Sequence, residues 1–177
     1  MFIDLLRKRR SIRQFQEKAV EQEKIDVLTE AALRAPSSRS LNPWEFIVVE
    51  NKETLESLSQ VKPHGAAFLK NAPLAIVVCA DPEKCDVWVE DCSIASILIH
   101  LAATDLGLGS CWIQLRLREY DAQQSASARA TEILGIENGL EVQTIIAIGY
   151  PQKEAKGHDA STLLTERLHC ERFGEKE

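Results

Sequence analysis

Five cationic side chains lie within seven consecutive positions near the start of an otherwise acidic chain. The stretch LLRKRRSIRQF spans residues 5 to 15, whereas the whole sequence of 177 residues carries a formal net charge of −6. The cations are Arg7, Lys8, Arg9, Arg10 and Arg13. Arginine binds phosphate well because its planar guanidinium offers paired donors, and Ser11 adds a hydroxyl group. The cluster therefore predicts either an anion site or a solvated helix end whose charges complement the helix dipole.

A polar loop follows in the stretch APSSRSLNPWEFIVVE, residues 35 to 50. Its polar and turn-forming residues precede Trp44, and they are Pro36, Ser37, Ser38, Ser40 and Asn42. Such residues are typical of loops in general. A row of small donors and acceptors can also hydrogen-bond a ring system that bears carbonyl and N–H groups.

A third stretch, DLGLGSCWI at residues 105 to 113, places two glycines before the start of a strand. Glycine lets the backbone approach a ligand closely, but it also ends helices without any other role. Both interpretations stay open for Gly107 and Gly109 at this point. The strand that follows begins with Ser110, Cys111 and Trp112.

Helices and strands must position these three stretches. Apolar periodicity and capping residues predict helices at 2–10, 21–34, 51–59, 86–106 and 122–134, with a partly helical tail at 163–173. Apolar and β-branched runs predict strands at 44–49, 74–80, 110–115 and 142–148. The run LAIVVCA at 74–80 indicates a central strand covered on both faces. Residues 93–103 are apolar nearly all round, which indicates a helix in a core or at a subunit interface.

Several classes of function lack support in the sequence. No GxGxxG follows the first strand and no GxxxxGKS/T occurs, so side chains would have to hold a phosphorylated cofactor. The five cysteines form no CxxC pair and the four histidines form no HExxH motif, so we expect free thiols and no metal site. The acidic balance disfavours nucleic-acid binding. We expect a cytoplasmic protein without membrane contact, because there is neither a long apolar run nor a secretory signal pattern.

Four stretches in order resemble the nitroreductase family of FMN-dependent oxidoreductases. They extend over residues 5 to 151 and read RRSIRQF, EAALRAPSSRSLNPWEFIVV, VEDCSIASILIHLAATDLGLGSCWI and EILGIENGLEVQTIIAIGYP. The resemblance implies an α+β fold, with residues 1–177 forming one domain. That domain would be a three-layer sandwich with a mixed, mostly antiparallel sheet flanked by helices. The resemblance also implies an intertwined homodimer with FMN at the interface.

The resemblance also implies cofactor contacts at particular positions. Arg9, Arg10, Ser11 and Arg13 match the motif that holds the FMN phosphate and ribityl region. Pro36, Ser37, Ser38, Ser40 and Asn42 match the loop that reaches the flavin of the other subunit, with Ser40 and Asn42 standing where asparagine and glutamine are common. Ser110, Cys111 and Trp112 are expected beside the isoalloxazine ring. Many members complete the phosphate pocket with a basic residue after the GYP turn, and we expect Lys156 in preference to Lys153.

The activity implied by the resemblance is hydride transfer from NADH or NADPH, through flavin N5, to a nitroaromatic, a quinone or a related electrophile. We expect ping-pong kinetics, no catalytic acid or base from the protein, and a packing role for Cys111. Two alternatives stay open. One is other flavin chemistry on the same scaffold, such as dehalogenation, enoyl-type reduction or flavin destruction. The other is non-catalytic binding of an anion or a flavin.

Overall fold

A four-stranded antiparallel sheet lies at the centre of the computed structural model, which describes residues 1–175. Its strands are β1 (Trp44–Val49), β2 (Leu74–Ala80), β3 (Gly109–Gln114) and β4 (Glu141–Gly149). Their order across the sheet is β1-β2-β4-β3, so β2 and β4 are inner strands and β1 and β3 are edges. Every residue of β2 is buried, which confirms the central strand predicted from its continuous apolar run.

Five α-helices surround the sheet, and each predicted helix is present with shorter bounds. They are α1 (Phe2–Lys8), α2 (Gln22–Leu33), α3 (Lys52–Leu58), α4 (Trp88–Asp105) and α5 (Ala126–Leu134). The largest difference is at α5, which begins at Ala126 because the Ser125 hydroxyl accepts the Ala128 N–H and caps the helix there. The tail at 163–173, expected to be partly helical, has three residues of 3₁₀ helix, Thr165–Arg167, and no α-helix.

The helices form a layer on each face of the sheet. On one face, α3, α5 and the 3₁₀ segment Ala67–Asn71 pack against alternate residues of β2, including Val77. On the other face, α2 and α4 pack against the intervening residues, including Ile76. This arrangement confirms the predicted α+β sandwich. All three strand pairings are antiparallel, so the parallel component expected of a mixed sheet is limited to a short bridge between Ser11 and Ser110.

The long helix α4 is not fully enclosed by its own chain. Most of its apolar side chains are buried, but Ile94 and Ile97 are 39% and 41% exposed. Apolar side chains of α1 are also exposed, among them Phe2 at 63%. The helix that the sequence predicts to be apolar nearly all round thus has one stripe of apolar side chains that its own chain does not cover. Among residues 1–175, no helix is both long and apolar enough to cross a membrane.

Candidate functional site at the edge of β3

The basic segment lies directly on the outer edge of β3. Ser11 forms a parallel bridge with Ser110, and the Ile12 N–H donates to the Ser110 carbonyl at 2.9 Å. A Cβ atom at Gly109 would lie 2.7 Å from the Ile12 Cβ, a separation that real side chains do not adopt. Gly109 therefore lets the strand backbone and the Ile12 side chain approach each other closely, whereas close approach to a ligand stays a prediction.

The thiol of Cys111, in this strand, is subject to the charges of three cations. Burial raises the pKa of the Cys111 thiol, whereas Arg13, a hydrogen bond with Ser11, Arg9 and Lys62 all act to lower it. The thiol is 1% exposed, so it is neutral and packed, as expected from the sequence. Within residues 1–175, neither Arg9, Arg13 nor Lys62 forms an ion pair with a carboxylate. These cations are therefore available to an anionic ligand.

Lys62 was missed by sequence reasoning. Its ammonium donates to the Gln114 carbonyl at 2.8 Å, at the other end of the same strand edge. Burial lowers the pKa of Lys62, and the nearby Arg118 lowers it further. Lys62 lies in the loop after α3, and no local pattern distinguishes it from an ordinary surface lysine. Only the tertiary fold brings it to β3.

Arg10 points away from the group around Cys111. Its guanidinium donates to the main-chain carbonyl of Lys156 at 2.6 Å. Arg10 also lines a cleft of about 340 Å³ between the end of α4 and the segment after β4, together with Lys8, Gly107 and Glu154. The fold thus brings the main chain of Lys156 beside the basic segment, whereas contact of its side chain with phosphate stays a prediction. Its side chain is exposed.

A buried histidine supports β3 from within the protein. The Nδ1 atom of His100, in α4, lies 2.6 Å from the Ser110 hydroxyl, and the imidazole stacks on the Trp112 ring at 6.4 Å. The Trp112 Nε1–H in turn donates to the Gln114 side chain at 2.9 Å. Burial lowers the pKa of His100 to about 4, and the Arg9 charge acts in the same direction. The imidazole is therefore neutral at pH 7 and holds the start of β3 in place.

The polar loop before β1 is held in an unusual backbone conformation. The Ser37 hydroxyl donates to the Asn42 side-chain oxygen at 2.6 Å and accepts the Asn42 N–H at 2.9 Å. Arg39, Ser40 and Asn42 have φ angles of 53°, 55° and 46°. A left-handed conformation costs an L-residue roughly 1–2 kcal/mol. The Ser38 N–H donates to the Asp91 carboxylate at 2.9 Å.

The loop and the basic segment lie at opposite corners of the sheet. Three strand spacings, roughly 14 Å, separate β1 from β3. Trp44 pairs with Ala80 of β2, and Ala80 pairs with Glu141, the first residue of β4. Ser110 pairs instead with Ile148, near the other end of β4. Seven residues of strand add roughly 23 Å along the other direction, so Trp44 and Ser110 are roughly 27 Å apart. Within one chain, the structure brings residues 9–13 to residues 110–112 but does not bring residues 36–42 to them.

Comparison with known proteins identifies the family. The family model described as the nitroreductase family matches residues 6–64 and 56–150. The chain belongs to the nitroreductase family. This nitroreductase-family chain is 50% identical to an FMN-dependent nitroreductase from Clostridium difficile R20291 of known structure. The match covers 97% of this chain and 99% of that one, with a TM-score of 0.95.

Two further relatives of this nitroreductase-family chain agree with that result. A candidate NADH dehydrogenase/NAD(P)H nitroreductase from Archaeoglobus fulgidus is 38% identical over 170 residues, which cover 93% of this chain and 94% of that protein. A nitroreductase family protein of known structure from Clostridium difficile 630 is 28% identical, with a TM-score of 0.81 and coverage of 97% and 99%. Membership makes the chain an oxidoreductase. It also confirms the family resemblance found in the four sequence stretches.

Proposed function

We propose that this chain binds FMN and transfers hydride from NADH or NADPH to a nitroaromatic, a quinone or a related electrophilic acceptor, with ping-pong kinetics. The observation that carries the proposal is that the segment bearing Arg9, Ser11 and Arg13 pairs with the outer edge of β3, through the Ser11–Ser110 bridge and the hydrogen bond from the Ile12 N–H to the Ser110 carbonyl. The FMN dependence of the 50%-identical relative supports it.

The site fits both ends of FMN chemically. A phosphate dianion matches the guanidinium groups of Arg9 and Arg13, which pair with no carboxylate among residues 1–175, because arginine binds phosphate through paired charge-assisted hydrogen bonds. The flavin ring bears carbonyl and N–H groups, which match the main chain of an unpaired strand edge. That edge is bonded at its ends by Ile12 and Lys62, through the carbonyls of Ser110 and Gln114. Trp112 lies between them, and its main-chain groups face the same side because strand residues alternate.

Each residue then has a binding role. Arg9, Ser11 and Arg13 hold the phosphate and ribityl region, and Arg10 closes this region by binding the main chain of Lys156. Ser110, Cys111 and Trp112 lie along the ring, and Lys62 places a positive charge beside it. When bound, FMN supplies the redox chemistry by accepting hydride from the nicotinamide and passing it to the acceptor.

The protein contributes no catalytic acid or base in this proposal. The imidazole of His100 is neutral and hydrogen-bonded to Ser110, within the body of the protein. The Cys111 thiol is buried and protonated. The remaining polar groups of the site are cations and main-chain groups, which bind and orient a ligand.

A second copy of the chain completes the proposed site. Trp44, which follows the loop at 36–42, is roughly 27 Å from Ser110, too far for the loop and the basic segment of one chain to share one ring system. In a two-fold dimer, the loop of one subunit can instead reach the flavin held by the other subunit. The exposed apolar residues Phe2, Ile94 and Ile97 supply surface for such an interface. We therefore propose the intertwined homodimer, with FMN at the interface.

Anaerobic visible spectroscopy tests the function. The purified protein, or protein reconstituted with FMN, should show flavin absorption bands that bleach when NADH or NADPH is added and return when a quinone or nitroaromatic follows. Initial rates measured with both substrates varied should give the parallel reciprocal plots of a ping-pong mechanism. A colourless protein that binds no added FMN would refute the proposal. Bleaching that no acceptor reverses would leave FMN binding intact and refute the proposed electron transfer.

A further inference from the structure

The loop Ser37–Asn42 needs an anchor because its backbone is strained. Arg39, Ser40 and Asn42 all adopt positive φ angles, a region that L-residues rarely occupy. Such conformations persist only where surrounding contacts hold them, and they concentrate at binding sites. The bond between the Ser37 and Asn42 side chains is internal to the loop, so it does not fix the loop to the rest of the protein.

Two of the contacts that tie the loop to the body of the protein are exposed. Arg39 pairs with Asp86 through side chains that are 60% and 75% exposed, and the Lys84 ammonium donates to the Asn42 carbonyl at 3.0 Å. Exposed pairs of this kind contribute little because water and salt screen them. They restrain the tip of the loop weakly.

The third contact is buried and belongs to a rigid helix. Asp91, 3% exposed, accepts the Ser38 N–H through Oδ1 at 2.9 Å and the Cys85 thiol through Oδ2 at 3.4 Å. It lies in the first turn of α4, where the helix dipole favours a negative charge. A charge-assisted hydrogen bond removed from water is stronger than either exposed contact.

We propose that Asp91 is a positioning residue of the flavin site: its carboxylate holds the Ser37–Asn42 loop in the conformation that binds the flavin of the partner subunit. The inference rests on the proposed function. Asp91 itself does not touch the flavin. It acts through the Ser38 main chain. Because Asp91 is fixed in α4, its hydrogen bond restrains a loop whose positive φ angles are unfavourable.

The test compares three variants of the full-length protein. Asp91→Ala removes the acceptor, and Asp91→Asn keeps an oxygen that can accept the Ser38 N–H. Glu90→Ala removes the neighbouring carboxylate from the same helical turn and is the matched control. Two quantities are measured after far-UV circular dichroism confirms folding. They are the amide hydrogen exchange of a peptide that contains Ser38 and the dissociation constant for FMN.

We expect Asp91→Ala to speed exchange at Ser38 and to weaken FMN binding by about tenfold, the equivalent of one charge-assisted hydrogen bond. Asp91→Asn should recover most of both losses, a rescue that a general packing defect would not show. Glu90→Ala should stay within about twofold of the wild type, because an isolated exposed charge contributes little. The proposal is overturned if amide exchange at Ser38 is no faster in Asp91→Ala than in Glu90→Ala. It is also overturned if Asp91→Asn shows the same exchange rate and the same FMN dissociation constant as Asp91→Ala.

The two readouts separate this proposal from the proposed function. Wild-type protein that binds no FMN would refute the function, whereas exchange at Ser38 would still report whether Asp91 holds the loop. Wild-type protein that binds FMN, together with an Asp91→Ala variant of unchanged affinity, would refute only the positioning role. Should Asp91→Ala fail to fold, Asp91→Ser, whose hydroxyl is too short to reach the Ser38 N–H, replaces it in both measurements with the same expected and contradicting results.

Discussion

Mild acid should destabilise the folded protein through His100. Burial and the Arg9 charge lower the pKa of this histidine from 6.5 to about 4. Because its folded pKa lies below its unfolded pKa, the unfolded state takes up a proton first as the pH falls. The stability due to His100 is therefore fully present above about pH 6.5 and is lost progressively as the pH falls from there to about 4.

The magnitude follows from these two pKa values. The full shift corresponds to about 3 kcal/mol, and the part lost between pH 7 and pH 5 is about 2 kcal/mol. Other groups also titrate in this range, so the useful quantity is a difference between variants. His100→Asn keeps a polar atom near the Ser110 hydroxyl but cannot titrate. Between pH 7 and pH 5, the free energy of unfolding of His100→Asn should therefore fall by about 2 kcal/mol less than that of the wild type.

Urea unfolding at pH 7 and pH 5 measures this difference, with protomer and FMN concentrations held constant because both shift the apparent stability. His64→Asn is the matched control, since His64 is exposed. The control should lose as much stability as the wild type. If wild type and His100→Asn lose the same amount, the stability does not depend on a neutral, buried His100. An NMR titration of the His100 ring protons would then give its folded pKa directly.

Three further predictions concern the edge of β3 and the thiols. Arg13→Ala should weaken FMN binding by about 1.5–3 kcal/mol and riboflavin binding much less, because the proposed contact of Arg13 is with the phosphate. Arg34→Ala, at an exposed position, should change neither affinity, and equal losses for both ligands in Arg13→Ala would contradict the proposed contact. Gly109→Ala should lower the free energy of unfolding by about 1–3 kcal/mol because its Cβ meets Ile12, and unchanged stability in urea unfolding would contradict that close contact. The variant should also reduce FMN retention, because Ile12 lies in the segment that carries the proposed phosphate-binding residues. Ellman's reagent should label Cys170 first, because the other four cysteines are buried, so rapid labelling of a second thiol in the native protein would contradict the burial pattern.

The fold and one half of the site follow from local sequence patterns. The run at 74–80 predicts a buried central strand because it contains no polar position, and the structure places it between two other strands. The cations of residues 9–13 predict an anion site, and their segment does pair with a strand edge, where Arg9 and Arg13 form no ion pair with a carboxylate of residues 1–175. Their contact with FMN stays a prediction. The sequence alone did not indicate that Arg10 turns away from the others and bonds to the main chain of Lys156.

The other half of the site depends on contacts between distant segments. Asp91, His100 and Lys62 act on partners that are 53, 10 and 52 residues away, and each lies in a segment with an ordinary local pattern. A buried carboxylate in a helix and a lysine in a loop have no signature at the level of sequence. The tail at 163–173 illustrates the converse, since its apolar residues suggested a helix but they remain exposed, with Leu168 at 72%.

The hydrogen bond from the Ile12 N–H to the Ser110 carbonyl can form only after both segments have been synthesised. The basic segment leaves the ribosome first, and the strand on which it lies follows about 98 residues later. At translation rates of about 5–20 residues per second, that delay is about 5 to 20 seconds. The carbonyl of Lys156, the partner of Arg10, emerges later still. The cations of the basic segment therefore stay without their folded surroundings until residue 156 has been synthesised, and under the proposed function this site cannot bind FMN earlier.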